Sequence, residues 1–158
     1  MKRQAVKILL ALTVLFAAFA PSRITQAQNA PASSIPTAAL IQPSELAATF
    51  KSSSPKPLIL QVGSHVLFAE AHIPGSEYAG PTGQDTGLQV LRTRVASLPK
   101  STAIILYCGC CPWSRCPNIA PAFNQLHALG FTQIKVLYLA DNFGTNWVDM
   151  GYPTTKGR

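Results

Sequence analysis

The stretch AIILYCGCCPWSRCPNIAPAFNQLHALGF, residues 103–131, joins a strand pattern to a helix pattern through a cysteine-rich loop. Its continuous apolar start, AIILYC, is typical of a strand buried on both faces. Its end, IAPAFNQLHALGF, indicates a helix that stops at Gly130. In an open α/β sheet, ligands bind at loops that leave the carboxyl ends of strands. The loop contains all four cysteines of the chain and is therefore the candidate functional site.

Segments on both sides of this stretch continue the alternation of strands and helices. Short apolar runs predict two more buried strands, PLILQVG at 57–63 and IKVLYLA at 134–140. The spacing of apolar residues predicts helices at PSELAATF, 43–50, and LQVLRTRVASL, 88–98. Residues 71–87 are turn-rich and irregular. Strands that alternate with helices predict an open, mainly parallel α/β sheet.

The N-terminus has the pattern of a secretory signal peptide. The basic residues Lys2, Arg3 and Lys7 precede an apolar run at 8–20, and the small residue Ala27 offers a cleavage position. The apolar run is short for a helix that spans a bilayer. We therefore expect the chain to be exported.

This leader divides the chain into three parts. Residues 1–27 are expected to be the signal peptide, 28–38 a polar, proline-containing flexible linker, and 39–158 a single folded domain. An uncleaved membrane anchor is the alternative interpretation of the leader. Both interpretations place the domain outside the cytoplasm, and removal of the leader gives a periplasmic or secreted protein with no stable membrane insertion.

The basic character of the chain belongs mostly to the leader. The full sequence has 13 basic and 6 acidic residues, a net charge of +7. Removing residues 1–27 takes away four basic residues and no acidic ones, which leaves a net charge of +3. No basic stripe interleaved with aromatic residues remains, so we expect no nucleic-acid partner.

The cysteine-rich loop suits nucleophilic sulfur chemistry. A thiolate in a tight loop receives backbone N–H groups, and the positive end of the following helix stabilises the anion further, so the cysteine pKa falls. Gly109 allows the backbone to approach the sulfur closely, and Arg115 supplies a cation for an anionic substrate.

Four motifs, PLILQVG, FAEAHIPGSEY, IILYCG and WVDMGYP, occur in this order across residues 39–157. With them the chain resembles a single-domain member of the rhodanese (sulfurtransferase) family. The resemblance implies a five-stranded α/β sheet with helices on both faces. It also implies a cysteine that accepts sulfane sulfur from a small anionic donor such as thiosulfate. The resulting persulfide passes its sulfur to a thiophilic acceptor, and no cofactor is expected.

Two cysteines compete for the role of the nucleophile. Cys108 directly follows the strand, as the family's nucleophile does, whereas Cys110 has the family's spacing to Arg115. We prefer Cys108, with Cys110 as the second choice, because loops change length more easily than strands shift register. The resemblance also implies that amides of residues 109–114 cradle the sulfur. The candidate substrate-binding residues are Gly109, Cys110, Cys111, Trp113, Ser114 and Arg115.

The chain departs from the family pattern around this site. Gln61 and Gly63 stand where the family often has Asp and Arg, and Ala71 replaces the Gly before His72. The charged pair that usually supports the loop is therefore missing, and the loop itself is longer.

The cysteines also fit two other chemistries. Cys108 and Cys111 form a CxxC pair, a spacing found in thiol–disulfide redox proteins, and a permanent Cys111–Cys116 bridge would suit an exported protein. The four thiols of Cys108, Cys110, Cys111 and Cys116 are a candidate set for copper(I), zinc or an iron–sulfur cluster. A non-catalytic, thiol-rich domain that binds metal or delivers sulfur is therefore the alternative function.

Other aromatic and polar residues have mainly structural interpretations. His72 is expected to shape the HIPG turn, and Trp147 to pack the last helix against the sheet. Trp113 is expected to form a wall of the pocket or to contact a partner. Asp141 and Asn142 follow the last predicted strand, where they would lie at the rim of the pocket or form a turn.

Overall fold

The computed structural model describes residues 34–53 and 55–157. The predicted signal peptide and the first part of the predicted linker lie outside these residues. Within the described part of the chain, no helix is long and apolar enough to cross a membrane.

Five parallel strands form one sheet at the centre of the domain. In chain order they are β1 (Leu40–Ile41), β2 (Leu58–Gln61), β3 (Glu77–Tyr78), β4 (Ile104–Tyr107) and β5 (Ile134–Leu137). Their order in the sheet is β1-β5-β4-β2-β3, so β4 lies in the middle. Because all strands run in the same direction, their carboxyl ends meet at one edge, and the five-stranded α/β architecture predicted from the sequence is confirmed.

Four α-helices connect the strands. They are α1 (Pro43–Thr49), α2 (His65–Glu70), α3 (Asp85–Val95) and α4 (Ile119–Ala128). Short 3₁₀ turns occupy Thr37–Ala39 and Trp113–Arg115, and a π-helical turn occupies Gly144–Val148. Gly130, just after α4, has a φ of 87°, a left-handed conformation that favours glycine. The predicted helices α1, α3 and α4 are confirmed, as is the end of α4.

Alternate residues of β4 lie in two apolar cores, one on each face of the sheet. The first core joins the sheet to α3 and α4, and the second joins it to α1 and the π-helical turn. The first includes Ile104, Leu106, Leu91 and Leu126, and the second includes Ile105, Tyr107, Leu46 and Trp147. Burial on both faces explains why the sequence of β4 is continuously apolar.

The HIPGS turn, which follows α2, is tied to the end of β4. The backbone N–H of Ile73 donates to the Tyr107 hydroxyl at 3.3 Å, and the Ser76 hydroxyl lies 3.0 Å from the same oxygen. Burial raises the pKa of Tyr107 to about 12, so this hydroxyl keeps its proton. His72 Nδ1 lies 2.8 Å from the carbonyl oxygen of Phe68. His72 therefore shapes the turn, as predicted.

Some short elements were missed by the sequence analysis. Strands β1 and β3 have two residues each, too few to show an alternating pattern, and β3 lies in the segment predicted to be irregular. Helix α2 is only six residues long. The folded part also begins earlier than expected, because Ile35, assigned to the linker, is 6% exposed and packs in the first core.

Candidate functional site

The cysteine-rich loop leaves the carboxyl end of β4 and leads into α4. Cys108 directly follows the strand and is only 4% exposed. A Cβ atom on Gly63 would lie 2.8 Å from Cys108 Sγ, so glycine at this position leaves room for the sulfur. The side-chain oxygen of Gln61 accepts the Gly63 N–H at 3.1 Å. Gln61 and Gly63 therefore form a neutral turn against Cys108.

The sulfur atoms of the loop form a chain of contacts. Cys110 Sγ lies 3.3 Å from Cys108 Sγ and 3.3 Å from Cys111 Sγ. Cys116, which is also buried, is near enough to Cys108 to influence its pKa. All four cysteines are free thiols in this structure. Cys110 thus lies between the two members of the CxxC pair and contacts both.

Asn118 organises the inner end of this chain. Its Nδ2 donates to Cys108 Sγ at 3.4 Å and approaches Cys110 Sγ at 3.9 Å. Its Oδ1 accepts the Gly83 N–H at 2.8 Å, which fixes the orientation of the amide. Asn118 was not among the predicted site residues, because an asparagine directly before a helix is normally a capping residue. In the structure Asn118 makes no side-chain capping bond and contacts the sulfurs instead.

Two of the four cysteines favour the thiolate form. Hydrogen bonds from Cys108, Cys111 and Asn118 lower the pKa of Cys110 to about 6, against the opposing effect of partial burial. The pKa of Cys116 is lowered to about 7 by a hydrogen bond from Cys108 and by backbone N–H groups at the start of α4. The positive end of α4 therefore acts on Cys116 and not on either of the two candidate nucleophiles, Cys108 and Cys110.

The other two cysteines favour the neutral thiol. Hydrogen bonds to Cys110 and Cys116, together with burial, raise the pKa of Cys108 well above its ordinary value. Burial and the neighbouring sulfurs raise the pKa of Cys111 to about 12. Cys108 has one S–H proton and can donate it to only one neighbour at a time. The thiolates of Cys110 and Cys116 therefore compete for the single proton of Cys108, and each also accepts hydrogen bonds from other donors.

A cleft of about 350 Å³ opens beside the loop, between α2 and the π-helical turn. Cys110 is the only cysteine among the described residues that line it. Glu70 is the only charged residue in the same set, so the cleft has a carboxylate and no cation. The lining residues are Leu67, Glu70, Ala71, Gly109, Cys110, Asn142, Phe143, Gly144 and Val148. The cleft therefore gives external molecules access to Cys110 alone among the four sulfurs.

The structure brings only part of the predicted binding set to this cleft. Gly109 and Asn142 line it, and a Cβ atom on Gly109 would meet Phe143 Cβ at 2.5 Å. Glycine at position 109 is therefore required for close packing against the wall of the cleft. Asp141 does not line the cleft and its backbone N–H instead bonds Asn146 Oδ1 at 2.7 Å.

The 3₁₀ turn of the loop points away from the cleft wall. Trp113 is half-buried, packs against Tyr138 with ring centroids 5.3 Å apart, and does not line the cleft. Arg115 is exposed, lies outside the cleft, and its guanidinium forms no hydrogen bond or ion pair within residues 34–53 and 55–157. Ser114 is exposed as well. The substrate roles predicted for these residues therefore have no support from the shape of the cleft.

The amides of the loop form only part of the predicted cradle. Pro112 has no N–H group, and the Trp113 N–H donates to the Ala140 carbonyl oxygen at 3.1 Å. The backbone N–H of Cys110 acts on its own sulfur. The anion at Cys110 is thus stabilised mainly by the neighbouring thiols, with smaller contributions from its own backbone N–H and from Asn118.

The geometry of the described residues does not favour a metal centre. Among them, no group of three or more His, Cys, Asp or Glu side chains could hold a metal ion. The candidate metal set of the four loop cysteines is therefore not supported by their arrangement, even though soft metals prefer thiolate ligands.

Comparison with known proteins gives a match in structure but not in sequence. The chain matches no protein-family model. No curated protein matches it in sequence either.

Several solved structures resemble the domain. The rhodanese-like domain of the Alr3790 protein from Anabaena sp. is 23% identical, with a TM-score of 0.55, over 75% of this chain and 79% of that one. A rhodanese-like domain protein from Staphylococcus aureus is 18% identical, with a TM-score of 0.51, over 75% of this chain and 98% of that one.

A thiosulfate sulfurtransferase from Pseudomonas aeruginosa is also similar. It is 20% identical, with a TM-score of 0.55, over 75% of this chain and 20% of its own length. Taken with the parallel sheet, the helices on both faces and the cysteine loop after the central strand, these likenesses show that the chain has the rhodanese-like fold.

Proposed function

We propose that this domain is a sulfurtransferase that takes up sulfane sulfur on a cysteine of the loop at residues 108–116 and passes it to a thiophilic acceptor. The observation that carries the proposal is Cys110, a cysteine with a lowered pKa that lines an open cleft at the carboxyl end of the central strand. The rhodanese-like fold supports the same class of chemistry, since one structural neighbour is a thiosulfate sulfurtransferase.

The chemistry has two half-reactions. The Cys110 thiolate attacks the sulfane sulfur of a donor such as thiosulfate, the sulfur–sulfur bond of the donor breaks, and sulfite leaves with the bonding electrons. An acceptor thiolate then attacks the outer sulfur of the persulfide and regenerates the Cys110 thiolate. The thiolate that Cys108, Cys111 and Asn118 stabilise is thus both the attacking group and the leaving group.

The two candidate nucleophiles differ in access. Cys108 has the position expected from the strand, but it is 4% exposed and its thiol keeps its proton. Cys110 is exposed and favours the thiolate. Because the thiolate is the nucleophilic form of cysteine, we propose Cys110 as the residue that attacks the donor. Cys108 lies directly behind it.

The charges that line the cleft influence which sulfur donor can bind there. Glu70 places a carboxylate in the cleft, and the cation expected to bind an anionic donor, Arg115, does not line it. A doubly charged donor is repelled by this carboxylate, whereas a donor or acceptor with less negative charge is not. Thiosulfate therefore serves here as a reference donor, for which we expect weak binding.

The compartment is also part of the proposal. The leader pattern at residues 1–27 supports a location in the periplasm or outside the cell, where thiols are readily oxidised. N-terminal sequencing of the protein isolated from the exported fraction should begin near residue 28. A chain that retains its first residue in the cytoplasm contradicts export.

A single-turnover experiment tests the proposed function. The reduced protein, freed of small thiols, is mixed with thiosulfate, and the sulfite released is measured against time. We expect about one sulfite per protein in the first turnover, because one cysteine accepts one sulfur. The Cys110→Ser variant should release none. Absence of sulfite from the native protein, with thiosulfate and the other reagents shown to be active, overturns the proposal.

A further inference from the structure

We propose that Cys108 resolves the persulfide formed on Cys110, which releases hydrosulfide and leaves a Cys108–Cys110 disulfide that an external dithiol must reduce. This inference rests on the proposed function, because it concerns the fate of the sulfur after uptake. It adds a second activity to the domain, in which sulfane sulfur is converted to sulfide at the expense of a dithiol.

The distance between the two sulfurs is the first argument. Cys108 Sγ lies 3.3 Å from Cys110 Sγ, within the roughly 3–3.5 Å from which reacting atoms form bonds. This contact is made to the atom that becomes the inner sulfur of the persulfide. Attack there expels the outer sulfur, whereas simple sulfur transfer requires attack on the outer one.

Backbone geometry favours Cys108 over Cys111 as the disulfide partner of Cys110. Cys111 Sγ lies equally close to Cys110 Sγ, at 3.3 Å. The Cα atoms of adjacent residues are about 3.8 Å apart, whereas the Cα atoms of a disulfide usually lie about 4.4–6.8 Å apart. A Cys110–Cys111 bridge would therefore strain the peptide between the two residues. Cys108, two residues away, has no such restriction.

The residues around Cys108 and Cys110 hold the two sulfurs together and give them different access to external thiols. Asn118 Nδ2 contacts both sulfurs, and its own position is fixed by the Gly83 N–H. Cys108 is buried, so an external thiol cannot compete for it, whereas Cys110 is open to the cleft. A dithiol reductant can therefore open the bridge by attacking Cys110.

The resolving step balances in atoms and electrons. The anionic outer sulfur of the persulfide first takes the proton of the Cys108 thiol. The resulting Cys108 thiolate attacks the Cys110 sulfur and forms the new sulfur–sulfur bond, while the persulfide bond breaks. The outer sulfur leaves as hydrosulfide, with the bonding electrons and the proton of the Cys108 thiol. Two thiol sulfurs are oxidised to a disulfide, and one sulfane sulfur is reduced to sulfide. The external dithiol then supplies two electrons and two protons and restores both thiols.

The test measures three products of one reaction. Reduced protein is mixed with thiosulfate without any added thiol, and sulfite, hydrosulfide and the free cysteines are determined, the last by alkylation and mass mapping. We expect sulfite and hydrosulfide in about equal amounts, because each persulfide is resolved once. After the protein is unfolded, only Cys111 and Cys116 should react with the alkylating reagent.

Two serine variants identify the resolving residue. In Cys108→Ser, sulfite release should become slower, because a donor to the Cys110 thiolate is changed, but it should still occur. Hydrosulfide release should be lost, and the persulfide should stay on Cys110 until dithiothreitol is added. In Cys111→Ser, hydrosulfide should still be released. Retention of the persulfide in Cys111→Ser, together with release in Cys108→Ser, overturns the assignment to Cys108.

The outcomes separate this inference from the function on which it rests. Sulfite release with a stable persulfide in the native protein, and no hydrosulfide, overturns the inference and leaves the sulfurtransferase intact. No sulfite at all overturns both. If Cys108→Ser does not fold, the pattern of alkylated cysteines in the native protein still decides, because it shows directly which two thiols were oxidised.

Discussion

The cysteine loop favours a thiolate near each of its two ends, and the two differ in access rather than in charge. Cys110 and Cys116 both have a lowered pKa, and the thiol of Cys108 helps to lower each of them. Cys116 is 4% exposed and faces the first turn of α4, whereas Cys110 is exposed and lines the cleft. A stabilised thiolate is therefore not enough for a reactive site, because the substrate must also reach it.

The largest expected difference between the two cysteines is in sulfur uptake. Cys110→Ser should reduce sulfite release from thiosulfate below detection, because serine cannot carry sulfane sulfur and no other thiolate lines the cleft. Cys116→Ser should retain sulfite release. The measurement is the single-turnover yield of sulfite from each folded variant. Loss of activity in Cys116→Ser with full activity in Cys110→Ser would reverse the comparison.

A second difference is expected in alkylation by iodoacetamide. Cys110 should react at least about tenfold faster than Cys116 at neutral pH, because it is both ionised and exposed. Its pKa is lowered, so the thiolate is present above pH 6 and is lost as the pH falls through about 6. Rates at Cys110, read by mass mapping from pH 5 to 9, should therefore level off above neutral pH. A rate that keeps rising up to pH 9 contradicts the lowered pKa.

Asn118 should stabilise the Cys110 thiolate through its side-chain amide. We expect Asn118→Ala to raise the pKa of Cys110 and to slow sulfite release by about fivefold to tenfold, the scale of one hydrogen bond to a charged group. The readout is the midpoint of the pH profile of alkylation, which a purely structural role would not move. Asn124→Ala is the matched control, since Asn124 is exposed on α4. An unchanged midpoint in Asn118→Ala removes the positioning role.

The smallest expected effect concerns the charge at the cleft. Glu70→Gln should lower KM for thiosulfate by about twofold to fivefold, the scale of an exposed charge interaction, with little change in kcat. Asp85→Asn removes the same charge from a residue outside the cleft and should leave KM unchanged. An equal KM for the native protein and Glu70→Gln shows that the donor does not approach through this cleft.

The sequence predicts the fold well because the sheet and its helices have periodic patterns. The apolar run of β4 and the helical spacing of α4 are both long enough to show burial, and they place the loop at the carboxyl edge of the sheet. Strands β1 and β3 could not be found, since two residues carry no period. Their positions follow from pairing with β5 and β2, which is a tertiary contact.

The site is harder to predict than the fold, because the sequence of its loop has no periodic pattern of apolar residues. The strand position of Cys108 could be predicted, but the return of Cys110 to within 3.3 Å of it depends on the path of the loop. The same path carries Arg115 away from the cleft and brings Asn118 towards the sulfurs. In the sequence, the spacing of Arg115 suggests substrate binding and the position of Asn118 before a helix suggests a cap. Only the path of the folded loop shows that Arg115 lies outside the cleft and that Asn118 contacts the sulfurs.

The central claim is that Cys110 accepts the sulfur, and the Cys108→Ser variant tests it most directly. The variant is incubated with thiosulfate, alkylated, cleaved and analysed by mass spectrometry to locate the added sulfur. We expect one additional sulfur on Cys110 and none on Cys111 or Cys116. A Cys108→Ser protein that folds and gains no sulfur contradicts the account, because Cys108 itself would then be the nucleophile, as its position after the strand first suggested.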